Sequence, residues 1–112
     1  MSKRKPEHLL KDILNALDET LLFVADLDFE KYLQNAMAKK AVERNLEIIG
    51  EAANRLPDEF KTKNDRVDWA LIRGFRNRLA HEYFRLDHRI LWQVVQDDLP
   101  ILKQHLSAIK FD

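Results

Sequence analysis

Apolar residues recur along this chain at steps of three and four, the period of helices that bury one face. A first helix is predicted after Pro6, with Leu10, Leu14, Leu17, Leu21 and Val24 as its stripe. In "DLDFEKY", Asp28 offers an N-cap for a long second helix. The stripe of that helix reads Val42, Leu46, Ile49, Ala53 and Leu56, until Pro57 ends it. Gly50 sits inside this pattern at a cost of about 1 kcal/mol relative to alanine, which a close helix crossing would explain.

The polar stretch "DEFKTKNDR" reads as a loop. Asp68 then caps a third helix carrying Trp69, Ile72 and Leu79, and Asp87 caps a fourth with Leu91, Val94, Val95, Leu102 and Ile109 inward. Pro100 lies within the last pattern and is expected to kink it, because it lacks a backbone donor and clashes with the preceding turn. With only two glycines and no repeat or linker, the expected fold is all-α: an antiparallel up-down bundle of four main helices, the last one kinked.

The 112 residues suit one domain spanning 1–112, and 46% hydrophobic content is ample for a single core. The absence of cysteine excludes disulfides, thiolate catalysis and cysteine-type zinc sites, and fits a reducing compartment. The basic start "MSKRKPEHLL" is followed by Lys11, Asp12, Asn15, Asp18 and Glu19, so neither a signal peptide nor a membrane span is predicted. A soluble, cytoplasmic protein is expected. Nineteen basic and 19 acidic residues cancel, so no global field draws the chain to nucleic acid, no DNA specificity is expected, and any such binding must come from a local patch. His8, His88 and His105 have no ligand spacing, and neither a metal nor a cofactor is expected.

One stretch supplies that patch. "RGFRNRLAHEYF", residues 73–84, gathers Arg73, Arg76, Asn77, His81 and Tyr83 among apolar residues, although Arg and His are costly wherever they approach a core. Five arginines fall between 73 and 89 against two acids, Glu82 and Asp87. At 100° per residue Arg73, Asn77 and His81 share one stripe, whereas Arg76 and His81 stand about 140° apart. They converge only if the helix ends or bends near Ala80, or if two copies of the chain face each other.

The order Arg76, Asn77, His81, Tyr83 in "RNRLAHEY" resembles the Arg-x4-His-x-Tyr signature of HEPN domain proteins, specifically the HepT-like toxins. "IIGEAANRLP", the lead-in "VDWALIRGFRNRLAH" and "LWQVVQDDLPILKQHL" are similar to the same family, so the resemblance covers nearly the whole chain. Glu82 departs from it, standing where many relatives carry glycine. The resemblance implies a HEPN-like bundle and a metal-independent endoribonuclease, active as a homodimer. It also implies a role as toxin in a type VII-like toxin–antitoxin pair, with tRNA and mRNA both open as the RNA. It makes Tyr83 the site at which a partner minimal nucleotidyltransferase, the antitoxin, attaches AMP.

Such chemistry suits the residues. Without a metal, the 2'-hydroxyl must attack phosphorus, so protons must move and added negative charge must be held. An imidazole near pKa 6.5 can move them and a guanidinium fork can hold the charge. His81 is therefore assigned general acid or base work and Arg76 the phosphate. Asn77 orients the ring or holds an oxygen, or alternatively caps a bent helix end or holds the dimer. Arg73 extends the RNA track, with solvated surface as its alternative, which is also the expectation for Arg85 and Arg89. Tyr83 has packing in a dimer seam as its plain rival, and Trp69 and Trp92 are expected in core or interface. Two other function classes stand beside the toxin: a non-catalytic nucleotide- or substrate-binding helical partner of a nucleotidyltransferase, and a structural dimerisation protein.

Overall fold

The computed structural model describes residues 4–81 and 87–111, the side chains of Asn77, Arg78, Ala80 and His81 excepted. All regular elements among the described residues are helical: α1 (Pro6–Val24), α2 (Phe29–Gln34), α3 (Ala36–Arg55), α4 (Asp58–Lys63), α5 (Trp69–His81), α6 (His88–Gln93), a π-helical turn (Val94–Asp98) and α7 (Leu99–Ser107). They form an all-α antiparallel bundle in which α3 packs against both α1 and α5, and α7 closes against α1.

The stripes explain the packing. Pro6 opens α1 at its first turn, where a missing N–H costs nothing. Leu10, Leu17 and Val24 are buried as expected, Leu14 and Leu21 pack half-buried against them, and Leu9, Ile13 and Ala16 widen the buried face. On α3, Val42, Leu46, Ile49 and Ala53 are buried, and Leu56 ends the helix before Pro57. Polar groups drawn inside are partnered. The Thr20 hydroxyl donates to the Ala16 carbonyl at 2.7 Å, and the Asn45 amide donates to Glu19 Oε1 at 3.3 Å. No buried side-chain nitrogen or oxygen among the described residues lacks a partner, as native cores require.

Three expectations need correction. The long second helix is two helices, because Asn35 adopts an extended backbone and its side chain accepts from the Ala38 N–H at 2.9 Å, re-capping the chain as α3. Asp28 still caps the first of them, accepting from the Lys31 N–H at 2.8 Å. The polar stretch "DEFKTKNDR" is not a loop throughout but contains α4, whose first turn holds Asp58 and Glu59 and whose last turn holds Lys61 and Lys63, the charge order that the helix dipole favours. The final helical stretch is interrupted before Pro100. The Leu99 N–H reaches back to the Val94 carbonyl in the π-helical turn, and Pro100 falls in the opening turn of α7.

Candidate functional site

Helix α5 carries the motif. The Asp68 carboxylate accepts from the Leu71 N–H at 3.0 Å and starts it. Ile72 and Phe75 are buried and Leu79 is half-buried, which fixes the face turned inward and leaves Arg73 and Arg76 exposed. The helix continues through Ala80 to His81 without a break. Arg76 and His81 therefore remain on one helix, about 140° and about 7.5 Å of rise apart. Asn77 and His81 are helical residues whose side chains lie outside the described part, and Tyr83 and Arg85 lie outside the described residues altogether.

The place of Arg76 is set by glycine. A Cβ on Gly50 would stand 3.2 Å from Arg76 Cβ, 3.6 Å from the Arg76 backbone nitrogen and 3.6 Å from the Ile72 carbonyl oxygen. This is the close crossing that Gly50 foretold, and it lies between α3 and α5 directly under Arg76. Beside it, Gly50, Ala53, Asn54, Lys61, Trp69 and Arg73 line a notch of about 10 Å³ between α3, α4 and α5.

Trp69 fastens the third wall of that notch. Its indole Nε1–H is shared between the Lys61 and Asn64 carbonyls at 3.1 Å each, closing the end of α4, and its ring meets Phe60 edge-on. Trp69 is thus half-buried between elements, in line with the expectation for it. Lys61 was passed over in the sequence because its segment reads as loop; the acid-to-lysine order of α4 was the signal that places it.

Charge differs across α3. On its α5 side stand Arg73 and Arg76, neither of which has an ion-pair partner among the described residues. On its α1 side a groove of about 320 Å³ is lined by Asp12, Glu19 and Glu51. Arg55 also lines that groove and Arg4 pairs with Asp12 at 3.0 Å, so charge there is mixed, whereas Arg73 and Arg76 stand together on the α5 side. Arg89 is exposed and pairs loosely with Asp87 at 3.5 Å, as a solvated surface residue does. Among the described residues, no three acid or histidine side chains are grouped as metal ligands.

The segment after the motif is re-anchored at α6. The Asp87 side chain accepts from the Arg89 N–H at 3.0 Å. The next residue, His88, shares a 3.2 Å hydrogen bond through Nδ1 with the hydroxyl of fully buried Tyr32. Tyr32 also packs against Trp92 and Phe29, so Trp92 belongs to this aromatic cluster. Burial first, and the Glu43 carboxylate second, hold the Tyr32 phenol well above the usual range. Nothing in the spacing of Tyr32 and His88, 56 residues apart, signals their contact.

Comparison with known proteins adds a family to this fold. The family model described as ribonuclease HepT-like matches residues 13–109, a span that includes α5 and its motif. A Methanocaldococcus jannaschii protein named as a candidate RNase is 38% identical over 109 residues, covering 97% of this chain and 100% of its own length. A protein of Thermococcus cleftensis, named as a probable ribonuclease HepT, is 38% identical over 108 residues, covering 96% and 98%. A third, from Caldanaerobacter subterraneus and again named as a candidate RNase, is 35% identical over 106 residues, covering 95% of each. No solved structure matches the chain. No helix among the described residues is long and apolar enough to cross a membrane. With 38% identity across almost its full length and a family match that takes in the Arg76 to Tyr83 motif, this chain belongs to the HepT-like ribonuclease family.

Proposed function

We propose that this protein is the toxin of a type VII-like toxin–antitoxin pair, a cytoplasmic, metal-independent endoribonuclease that acts as a homodimer. The observation that carries the reading is the family match across residues 13–109, which contains Arg76, His81 and Tyr83 in the order the chemistry needs. In the reaction, the 2'-oxygen of RNA attacks the adjacent phosphorus and the bond from phosphorus to the 5'-oxygen breaks. A 2',3'-cyclic phosphate and a 5'-hydroxyl result. His81 takes the 2'-hydroxyl proton or gives one to the leaving oxygen, and Arg76 holds the non-bridging oxygens as negative charge builds.

Two copies supply what one straight helix does not. With Arg76 and His81 turned about 140° apart on α5, a second α5 facing the first brings a guanidinium and an imidazole to the same phosphate from opposite sides. Asn77 orients the imidazole or holds a phosphate oxygen, and Arg73 extends the contact with the RNA backbone.

Control falls to a partner minimal nucleotidyltransferase. The Tyr83 oxygen attacks the α-phosphorus of ATP held by the partner, pyrophosphate leaves, and the phenol proton passes to solvent. The AMP so attached adds a negative phosphate and an adenine two residues from His81, competing with RNA for Arg76. The test is expression of the chain alone and with the nucleotidyltransferase. Growth arrest alone, relief with the partner, and AMP mass increments on Tyr83 are expected. Unimpaired growth with active protein present would overturn the toxin reading.

A further inference from the structure

Helix α4 presents two lysines in its last turn and treats them differently. Lys63 is exposed, whereas the Lys61 side chain retains only 15% of its exposure and lies in the notch beside Arg73. Its ion pair with Asp58 is loose, at 3.9 Å, and that carboxylate is fully solvated at 104% exposure. Neighbours thus cover most of the Lys61 stem, while the long ion pair leaves the ammonium donors to offer an anion. The Lys61 backbone is fixed there by the Trp69 indole.

The shape of the notch limits what it takes. A volume of about 10 Å³ accepts one water-sized group, so a base or sugar ring does not fit and a single phosphate oxygen does. The notch is contiguous with the motif, because Gly50 both lines it and touches Arg76. Arg73 and Arg76 are spaced i, i+3, which sets their Cβ atoms about 5–6 Å apart, the order of one nucleotide step.

From these placements we propose that the notch is a phosphate subsite, in which Lys61 and Arg73, with Asn54 as an additional donor, hold the RNA phosphate next to the one gripped by Arg76. The inference rests on the ribonuclease reading and deepens it. The subsite reads no base, because the notch is too small to admit one. It sets the register of the strand, so that the linkage beside Arg76 is the one presented for cleavage. Lys61 acts here as a positioning residue.

The test is binding of a 2'-O-methyl RNA oligonucleotide, which the enzyme cannot cleave, to the full-length parent and to Lys61→Met, Lys61→Arg and Arg73→Gln across a salt series. Lys61→Met keeps the stem and removes the charge. It is expected to weaken binding about tenfold, the size of one charge-assisted contact. The slope of log affinity against log salt should become shallower by about 0.7. Lys61→Arg is expected to recover most of the loss, which a merely structural lysine would not predict. Arg73→Gln, on the exposed side, should show the same change in slope and keeps the test open if Lys61→Met folds poorly. Parental affinity and slope in Lys61→Met and Arg73→Gln, with a parent that binds RNA, would overturn the subsite alone. A parent that fails to bind the oligonucleotide even at low salt would overturn the ribonuclease reading with it.

Discussion

Adding one methyl group at Gly50 perturbs the site without replacing any of its polar side chains. In Gly50→Ala, the new Cβ meets Arg76 Cβ at 3.2 Å and two backbone atoms of α5 at 3.6 Å. None of these is the free end of a flexible side chain, so α3 and α5 must part by a few tenths of an ångström. Overpacking of this kind costs about 1–3 kcal/mol, and the gain in helix propensity returns about 1 kcal/mol. The net is a loss of about 1 kcal/mol, or roughly 4 °C in Tm for a chain of this size. Gly74→Ala is the control, since a Cβ there meets nothing within 4 Å among the described residues; it should raise Tm by roughly 4 °C from propensity alone. Activity should respond more sharply at Gly50. If a 1 Å misplacement costs on the order of 10²-fold, a shift of about 0.3 Å at Arg76 lowers kcat about fourfold. Thermal melts and RNA cleavage by the two variants provide the assay. If Gly50→Ala were stabilised as much as Gly74→Ala and cleaved at the parental rate, the crossing would not be what sets Arg76 in place.

Light scattering at micromolar concentration should give the mass of a dimer, and a monomer would remove the second α5 from the mechanism. Mass spectrometry after co-expression with the nucleotidyltransferase should place AMP on Tyr83 and none on Tyr32, whose ring is fully buried; Tyr83→Phe should retain cleavage but escape covalent silencing, and silencing of that variant as complete as the parent's would mean simple occlusion instead. Because the phenol of Tyr32 is held above its usual range in the folded state, above about pH 10 the unfolded chain gives up a proton that the folded chain keeps. Stability should then fall by about 1.4 kcal/mol per pH unit from this group, and denaturant melts of Tyr32→Phe should lack that increment.

The parts of the fold that repeat were legible in the sequence. Heptad-like stripes gave α1 and α3 their buried faces, Asp28, Asp68 and Asp87 were visible as caps, and Gly50 announced its crossing, because each signal is local or periodic. What escaped depended on a competition or on distance. Asn35 lies between the Asp28 cap and the stripe that starts at Val42, with no proline or glycine beside it to mark a break, and only its extended backbone shows the second cap. In α4, six residues are too few for a stripe, and only its charge order marks it. The Tyr32 to His88 bond joins residues that no spacing relates. At the site, the motif named Arg76 and His81, but Lys61 reaches the notch through tertiary packing between α3, α4 and α5. The angular offset read from the sequence persists along an unbroken α5, which is why the proposed mechanism turns to a second copy.

RNA cleavage by the purified protein and its His81→Ala variant, each with and without EDTA, tests the central claim most directly. The parent should cut single-stranded RNA at the same rate in both conditions and leave 2',3'-cyclic phosphate ends. His81→Ala should be slower by about 10²- to 10⁴-fold, the usual cost of losing a general acid or base, with an unchanged melting curve. Parental cleavage by His81→Ala, or loss of the parent's activity in EDTA, would contradict the account.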